Sequence, residues 1–111
     1  MDGKRAKKRF RKEIAVRFGT TLPDHLGLIH DISTQGIFIK ASRIFQQQTR
    51  LVIEIKESTS EGIKCEGVVK WAKRVPLALA TLVQKNGMGI LLTNNSQEYT
   101  DLITRIESAH L

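Results

Sequence analysis

His25-Leu26-Gly27-Leu28-Ile29-His30-Asp31-Ile32, then Ser33-Thr34-Gln35, then Gly36-Ile37-Phe38-Ile39-Lys40: this stretch decides how the chain is read. Two runs rich in Ile, Leu and Phe flank a short polar break. Such runs suit the pleated, half-buried surface of a sheet, and Ser, Thr and Gly in the break signal a turn. In the first run Leu26, Leu28, His30 and Ile32 share one parity, while the second has Ile37, Phe38 and Ile39 in succession. The break itself reads Asp31-Ile32-Ser33-Thr34-Gln35-Gly36, an Asp-x-Ser-x-x-Gly.

Working outward, the same grammar recurs. Glu13–Thr20 alternates Ile14, Val16 and Phe18 against Glu13, Ala15 and Arg17. In Arg50–Lys56, Leu51, Ile53 and Ile55 oppose Val52 and Glu54. Gly62–Ala72 carries Cys65, Val68, Val69 and Trp71, and Gly87–Thr93 closes the series. Six short runs separated by turn signals predict an all-β chain. Past Asn95 the period changes. Tyr99, Leu102, Ile103 and Ile106 fall on one helical stripe, with Asn95 and Glu98 as an expected N-cap and its reciprocal acid. The expected architecture is a six-stranded antiparallel β-barrel, residues 13–111, with a C-terminal helix at about 95–110. A barrel this small fills with its own side chains, so any ligand binds outside. Val75–Val83 is too apolar for an ordinary loop. It reads as a strand extension or a turn of helix begun at Pro76, with an exposed partner patch as the alternative.

With 111 residues and 26% charged side chains, the chain is long enough for one ordinary core. No apolar run reaches the ~18 residues of a membrane span, and no signal-peptide pattern is visible. The single Cys65 leaves no internal disulfide and suits a reducing cytoplasm. The net charge of +7 is concentrated. Seven of the 18 Lys and Arg lie between Lys4 and Lys12, leaving 11 against 11 acidic residues elsewhere. Residues 1–12 are therefore expected to form a flexible basic arm that meets an anionic partner. Within it, Arg5-Ala6-Lys7-Lys8-Arg9 forms an Arg-x-x-x-Arg.

The two motifs offer complementary chemistry. Each guanidinium is a flat, permanently charged fork that can pair with phosphate oxygens and stack on an aromatic plane. Asp31 can accept from the adjacent ring N–H and amine of guanine, a donor pair that adenine lacks. Ser33 supplies a hydroxyl for a phosphate or a base. Gly36 permits a tight turn or a close backbone approach. Taken alone, Asp-x-Ser-x-x-Gly also fits a plain β-turn with locally satisfied side chains.

Taken together, the motifs resemble the PilZ domain, the bacterial receptor module for the second messenger cyclic di-GMP. In that family an Arg-x-x-x-Arg precedes the first barrel strand and an Asp/Asn-x-Ser-x-x-Gly lies between the second and third. Val16-Arg17-Phe18, Ile37-Phe38-Ile39, Gly67-Val68-Val69-Lys70-Trp71 and Gly87-Met88-Gly89-Ile90 add to the likeness, which runs from about Lys4 to the helix. The resemblance implies that Arg5 and Arg9 contact the phosphates and guanines of cyclic di-GMP. It implies that Asp31 reads a guanine edge, Ser33 supports phosphate or base, and Gly36 shapes the turn. Lys4, Lys8 and His30 are further candidates, and Lys4 before the first arginine goes with a stacked ligand pair. The implied function is a cytoplasmic receptor or adaptor, in pathways such as motility or biofilm formation. Its arm closes over the ligand and changes the surface offered to a downstream protein.

A single-stranded nucleic-acid barrel is the main alternative, since it too would use a basic arm. Such modules display stacking aromatics, whereas aromatics are 5% here. Trp71 could serve as a stacking platform, but it shares parity with Val69, which favours core packing about two to one. A PilZ-like interaction module that binds no ligand is the second alternative. Enzyme chemistry finds no support. His25, His30 and His110 show no metal spacing with one another or with Cys65, and no histidine completes a triad with Asp31 and Ser33. No catalytic residue, metal or cofactor is assigned.

Overall fold

Burial alternates in step with the sequence where the strands are regular, as in most of β1 and β4. The computed structural model describes residues 9–57, 62–74, 86–94 and 96–109. β1 (Phe10–Gly19) buries Ile14, Val16 and Phe18, and β4 (Arg50–Ile55) buries Leu51, Ile53 and Ile55. β2 spans His25–Ile32, β3 Gly36–Lys40, β5 Ile63–Lys73 and β6 Gly87–Asn94. One correction matters for the site. β1 starts at Phe10 and not at Glu13, because Phe10 is buried and pairs with Ile32. Phe10, Arg11 and Lys12 thus belong to the barrel.

The strands close into an antiparallel barrel in the order β1-β2-β3-β6-β5-β4, with β4 pairing back onto β1. The connection from β3 to β4 crosses one end, where Ala41 and Ile44 are buried and Phe45 packs edge-on to Phe18 and His25. This crossover is stitched to β5 by Gln48 N–H donating to the Val69 carbonyl and Val69 N–H donating to that of Thr49. The opposite end is closed by α1 (Gln97–Ala109), which buries Tyr99, Leu102, Ile103 and Ile106, the expected stripe. The helix cap differs by one residue. Ser96 accepts the Tyr99 N–H at its hydroxyl, and its carbonyl accepts the Tyr99 and Thr100 N–H groups, while the expected cap Asn95 lies outside the described residues.

Four register slips interrupt the ladders, one of them between Glu66 and Gly67 of β5, which face Asn94 and Leu92 of β6. Ile29 and Asp31 of β2 face the adjacent residues Ile39 and Phe38 of β3, which leaves His30 as an inserted residue. Val69 and Trp71 of β5 likewise face Ile90 and Gly89, inserting Lys70. On β1 the register shifts between Arg11 and Ile14 against the same part of β2. An inserted residue changes which face the next side chain takes. Leu26, Leu28, His30 and Ile32 therefore do not share a face. Leu26 and Leu28 are exposed, Ile29 and Ile32 are buried, and Asp31 turns outward. Trp71, expected in the core with Val69, is likewise turned outward, 45% exposed, while Val69 is buried.

Candidate functional site

The Asp-x-Ser-x-x-Gly turn is built around a buried hydroxyl. Ser33 Oγ accepts the N–H groups of Gln35 (3.3 Å) and Gly36 (3.2 Å) and donates to the Gly36 carbonyl (3.2 Å). The Ser33 N–H donates to that same carbonyl at 2.9 Å. Two outside elements hold the turn. The Tyr99 hydroxyl of α1 donates to the Ser33 carbonyl at 2.5 Å, and Leu92 N–H of β6 donates to that of Gln35 at 2.8 Å. Gly36 is needed for space and not for an unusual φ. A Cβ there would lie 2.6 Å from the Ile90 carbonyl oxygen of β6. The serine hydroxyl is thus engaged inside the turn, and its visible work is to fix the loop.

Asp31 stands on the outer side of that turn. Its Oδ1 accepts from Arg9 Nη1 at 2.7 Å, joining the second arginine of one motif to the carboxylate of the other. The position of Arg9 follows from its neighbour. Phe10 is buried opposite Ile32 and Arg11 pairs with Asp31 across β1 and β2, so the residue before Phe10 sits at the barrel rim beside Asp31. The Arg9 side chain is 61% exposed and that of Asp31 21%. Such a pair contributes only ~0.2–1 kcal/mol and is readily exchanged for other partners.

Behind this pair lies a hollow of about 190 Å³ bordered by Arg9, Gln35, Gly36, Lys70 and Trp71. Trp71 stacks on Phe38 (centroids 5.2 Å apart, planes at 28°), and Phe38 meets the edge of His30 at 6.0 Å. Of the residues expected at a ligand site, Arg9, Ser33 and Gly36 border this hollow, Asp31 is joined to it through Arg9, and His30 adjoins through Phe38. Arg5, Lys4 and Lys8 lie outside the described residues, as does Val75–Val83. Gln35, Lys70 and Trp71 border the hollow without having been singled out for it. Nothing in a period of two reveals a bulge at Lys70, so Trp71 reads as core.

A larger hollow, about 420 Å³, lies elsewhere and is bordered by Thr21, Pro23, Glu54, Lys64 and Glu66 among others. Its two carboxylates do not suit an anion. Among the described residues no three His, Cys, Asp or Glu side chains group closely enough to hold a metal ion. No helix there is long and apolar enough to cross a membrane.

The PilZ domain family model matches residues 3–106. The chain is a PilZ domain. This places it in a family of cyclic di-GMP receptors whose members act as regulatory receptor or adaptor modules. Among solved structures it is similar to the Bacillus subtilis inhibitor of motility, MotI/DgrA, with a TM-score of 0.75 at 18% identity. The alignment covers 94% of this PilZ chain and 50% of that protein, so the chain spans about half of its structural neighbour's length. At that identity the likeness establishes the barrel and its closing helix. No curated protein sequence matches the chain.

Proposed function

We propose that this PilZ domain is a receptor for cyclic di-GMP that serves as an adaptor toward a downstream protein. The observation that carries the reading is the Arg9–Asp31 contact, which unites two motifs 22 residues apart, with Arg9 bordering the hollow. Guanidinium and carboxylate are what a guanine-bearing dianion requires. Arg9 turns to a phosphate or stacks on a base, and Asp31 accepts the two donors of a guanine edge. Exchanging an exposed ion pair for ligand contacts gives up at most ~1 kcal/mol. Ser33 acts through the turn it holds, and Gly36 through the close approach it allows.

In this reading Arg5, with Lys4 and Lys8 nearby in sequence, adds the second guanidinium. The basic segment before Arg9 closes over the ligand, and the combined surface of segment and ligand is what the partner protein meets. A ligand-linked change in order of such a segment is an established form of switch. The proposed setting is the cytoplasm. Control of motility is the favoured output, by analogy with the inhibitor of motility named among its structural neighbours.

Calorimetric titration with cyclic di-GMP, against cyclic di-AMP, GTP and a single-stranded oligonucleotide, tests the reading. Selective binding to cyclic di-GMP, lost in Arg9→Ala and Asp31→Ala, is the expected result, and its stoichiometry distinguishes one ligand from a stacked pair. Equal response to all the probes, or none, would overturn it. A salt-sensitive preference for the oligonucleotide would identify a nucleic-acid module instead.

A further inference from the structure

We propose that the outer face of the β1–β2 hairpin is an interface on which a second copy of this chain docks, about a two-fold axis parallel to the strands. The inference stands on exposure and register and is independent of the ligand. Among the described residues, the large apolar side chains left exposed are Leu22, Leu26, Leu28, Trp71 and Leu91. Trp71 and Leu91 border the hollow already described, and the three leucines lie away from it. Leu26 and Leu28 are successive outward positions of β2, 65% and 37% exposed, and Leu22 lies in the turn that joins β1 to β2. Ala15 and Arg17 are the outward residues of β1 beside them. A stripe of exposed leucines on a small domain marks a contact surface. The barrel is closed and offers no free strand edge, so the contact is face to face.

The register identifies the occupant. Arg17 pairs with Leu26, Ala15 with Leu28 and Arg11 with Asp31. An axis along the strands, midway between β1 and β2, keeps each residue in its row and exchanges the two strands between copies. Every row then meets its complement. Leu28 stands over the second copy's Ala15, a large side chain over a small one. Leu26 lies over the aliphatic stem of the second copy's Arg17, whose guanidinium stays in water. Arg11 stands over the second copy's Asp31, so the second copy brings a guanidinium to the carboxylate of the motif turn. On the flanking strands, Lys40 of β3 lies beside Leu28 and Glu54 of β4 beside Arg17, and the exchange carries each toward the opposite charge. An axis across the strands would instead set Leu28 on Leu28 and Lys40 on Lys40. Facing sheets pack about 10 Å apart, and a convex barrel curves away on either side of the hairpin. The buried area is therefore small, below about 1,200 Å², and the dimer is weak and reversible.

Sedimentation velocity on the intact protein, from about 1 to 500 µM, tests the inference across the range where so small an interface associates. The expected result is a reversible shift from monomer to dimer as concentration rises. Ala15→Leu crowds the row and Leu28→Ala empties it, so each should weaken association about tenfold or more, since the contact occurs twice in a two-fold dimer. The double variant Ala15→Leu with Leu28→Ala exchanges large and small between the strands that the axis itself exchanges. Its association should return toward wild type. Ala15 and Leu28 are both exposed in the single copy, so the variants should melt with the wild type. If Leu28→Ala does not fold, Leu26→Ser, which strips the neighbouring row, decides the matter by the same weakening. A monomer throughout the range, a dimer that the single variants leave unchanged, or a double variant no tighter than the singles overturns the proposal and leaves the receptor reading standing.

Discussion

The hydroxyl of Tyr99, on the closing helix, hydrogen-bonds the carbonyl of Ser33, at the base of the motif turn. Both residues are buried, so the bond is a fixed link between α1 and the loop that carries Asp31 and Gly36. Tyr99→Phe keeps the ring and leaves that carbonyl without its phenol. Loss of one partner in a buried pair costs ~1–3 kcal/mol. Urea denaturation should show a destabilisation of that size. If the proposed receptor reading holds, calorimetry should show weaker cyclic di-GMP binding in the protein that remains folded, because the turn is no longer held from below. Unchanged affinity would mean that the turn keeps its shape without the helix.

Reading the sequence by a period of two located all six strands and the helical stripe, because burial dominates where the ladders are regular. Ile14, Val16 and Phe18, and likewise Leu51, Ile53 and Ile55, lie in the core as their alternation requires. The same rule failed at His30 and Lys70. An inserted residue there carries no glycine or proline to announce it, and the register of the partner strand decides where it falls. Those failures coincide with the site, since Asp31 and Trp71 owe their outward orientation to the insertions. The turn around Ser33 was legible as chemistry. Its anchoring by Tyr99 was not, because a contact across 66 residues leaves no local signature. The cap was misplaced by one residue because Asn95 and Ser96 are both good capping types.

Gly36 faces the β6 backbone at a distance that no side chain fits. In Gly36→Ala the new methyl group meets the Ile90 carbonyl, and a backbone atom cannot move aside as a flexible side chain can. The β3–β6 pairing must shift, at a cost of ~1–3 kcal/mol typical of overpacking. A lowered denaturation midpoint with an unchanged slope is the expected measurement. A variant as stable as wild type would show that the sheet opens at this point without strain.

Stability should fall in alkaline solution for a reason confined to one end of the barrel. Burial, with a contribution from the nearby charge of Glu66, pushes the Cys65 thiol from its ordinary 9.0 up to about 12. Burial and then Cys65 push the Tyr99 phenol upward as well. Both groups stay protonated in the folded chain while the unfolded chain releases its protons. The stability they give is therefore complete below pH 9 and is lost as pH rises from 9 toward 12. The slope is about 1.4 kcal/mol per pH unit for Cys65 alone, and it steepens above the ordinary phenol value of 10.0. Denaturation at several pH values should show Cys65→Ala lacking the decline between pH 9 and 10. Parallel curves for the two proteins would mean that the thiol ionises equally in both states.

Arg9 and Asp31 separate binding from stability. Their contact is a 2.7 Å charge-assisted hydrogen bond, but Arg9 is well exposed and the pair supports no buried element. Arg9→Ala and Asp31→Ala should each alter stability by less than ~1 kcal/mol. If the proposed receptor reading holds, each removes a group that the ligand itself engages, and cyclic di-GMP affinity should fall by about two orders of magnitude or more. That is the loss typical of removing a charged partner worth ~3 kcal/mol. The charge-reversed double variant Arg9→Asp with Asp31→Arg re-forms the ion pair with its ends exchanged. It should fold as stably as wild type and still fail to bind, since the carboxylate and the guanidinium no longer stand where the guanine edge and the phosphates require them. Denaturation and calorimetry on the same three preparations give the comparison. Recovery of binding in the double variant would show that the pair acts by ordering the rim and not by touching the ligand.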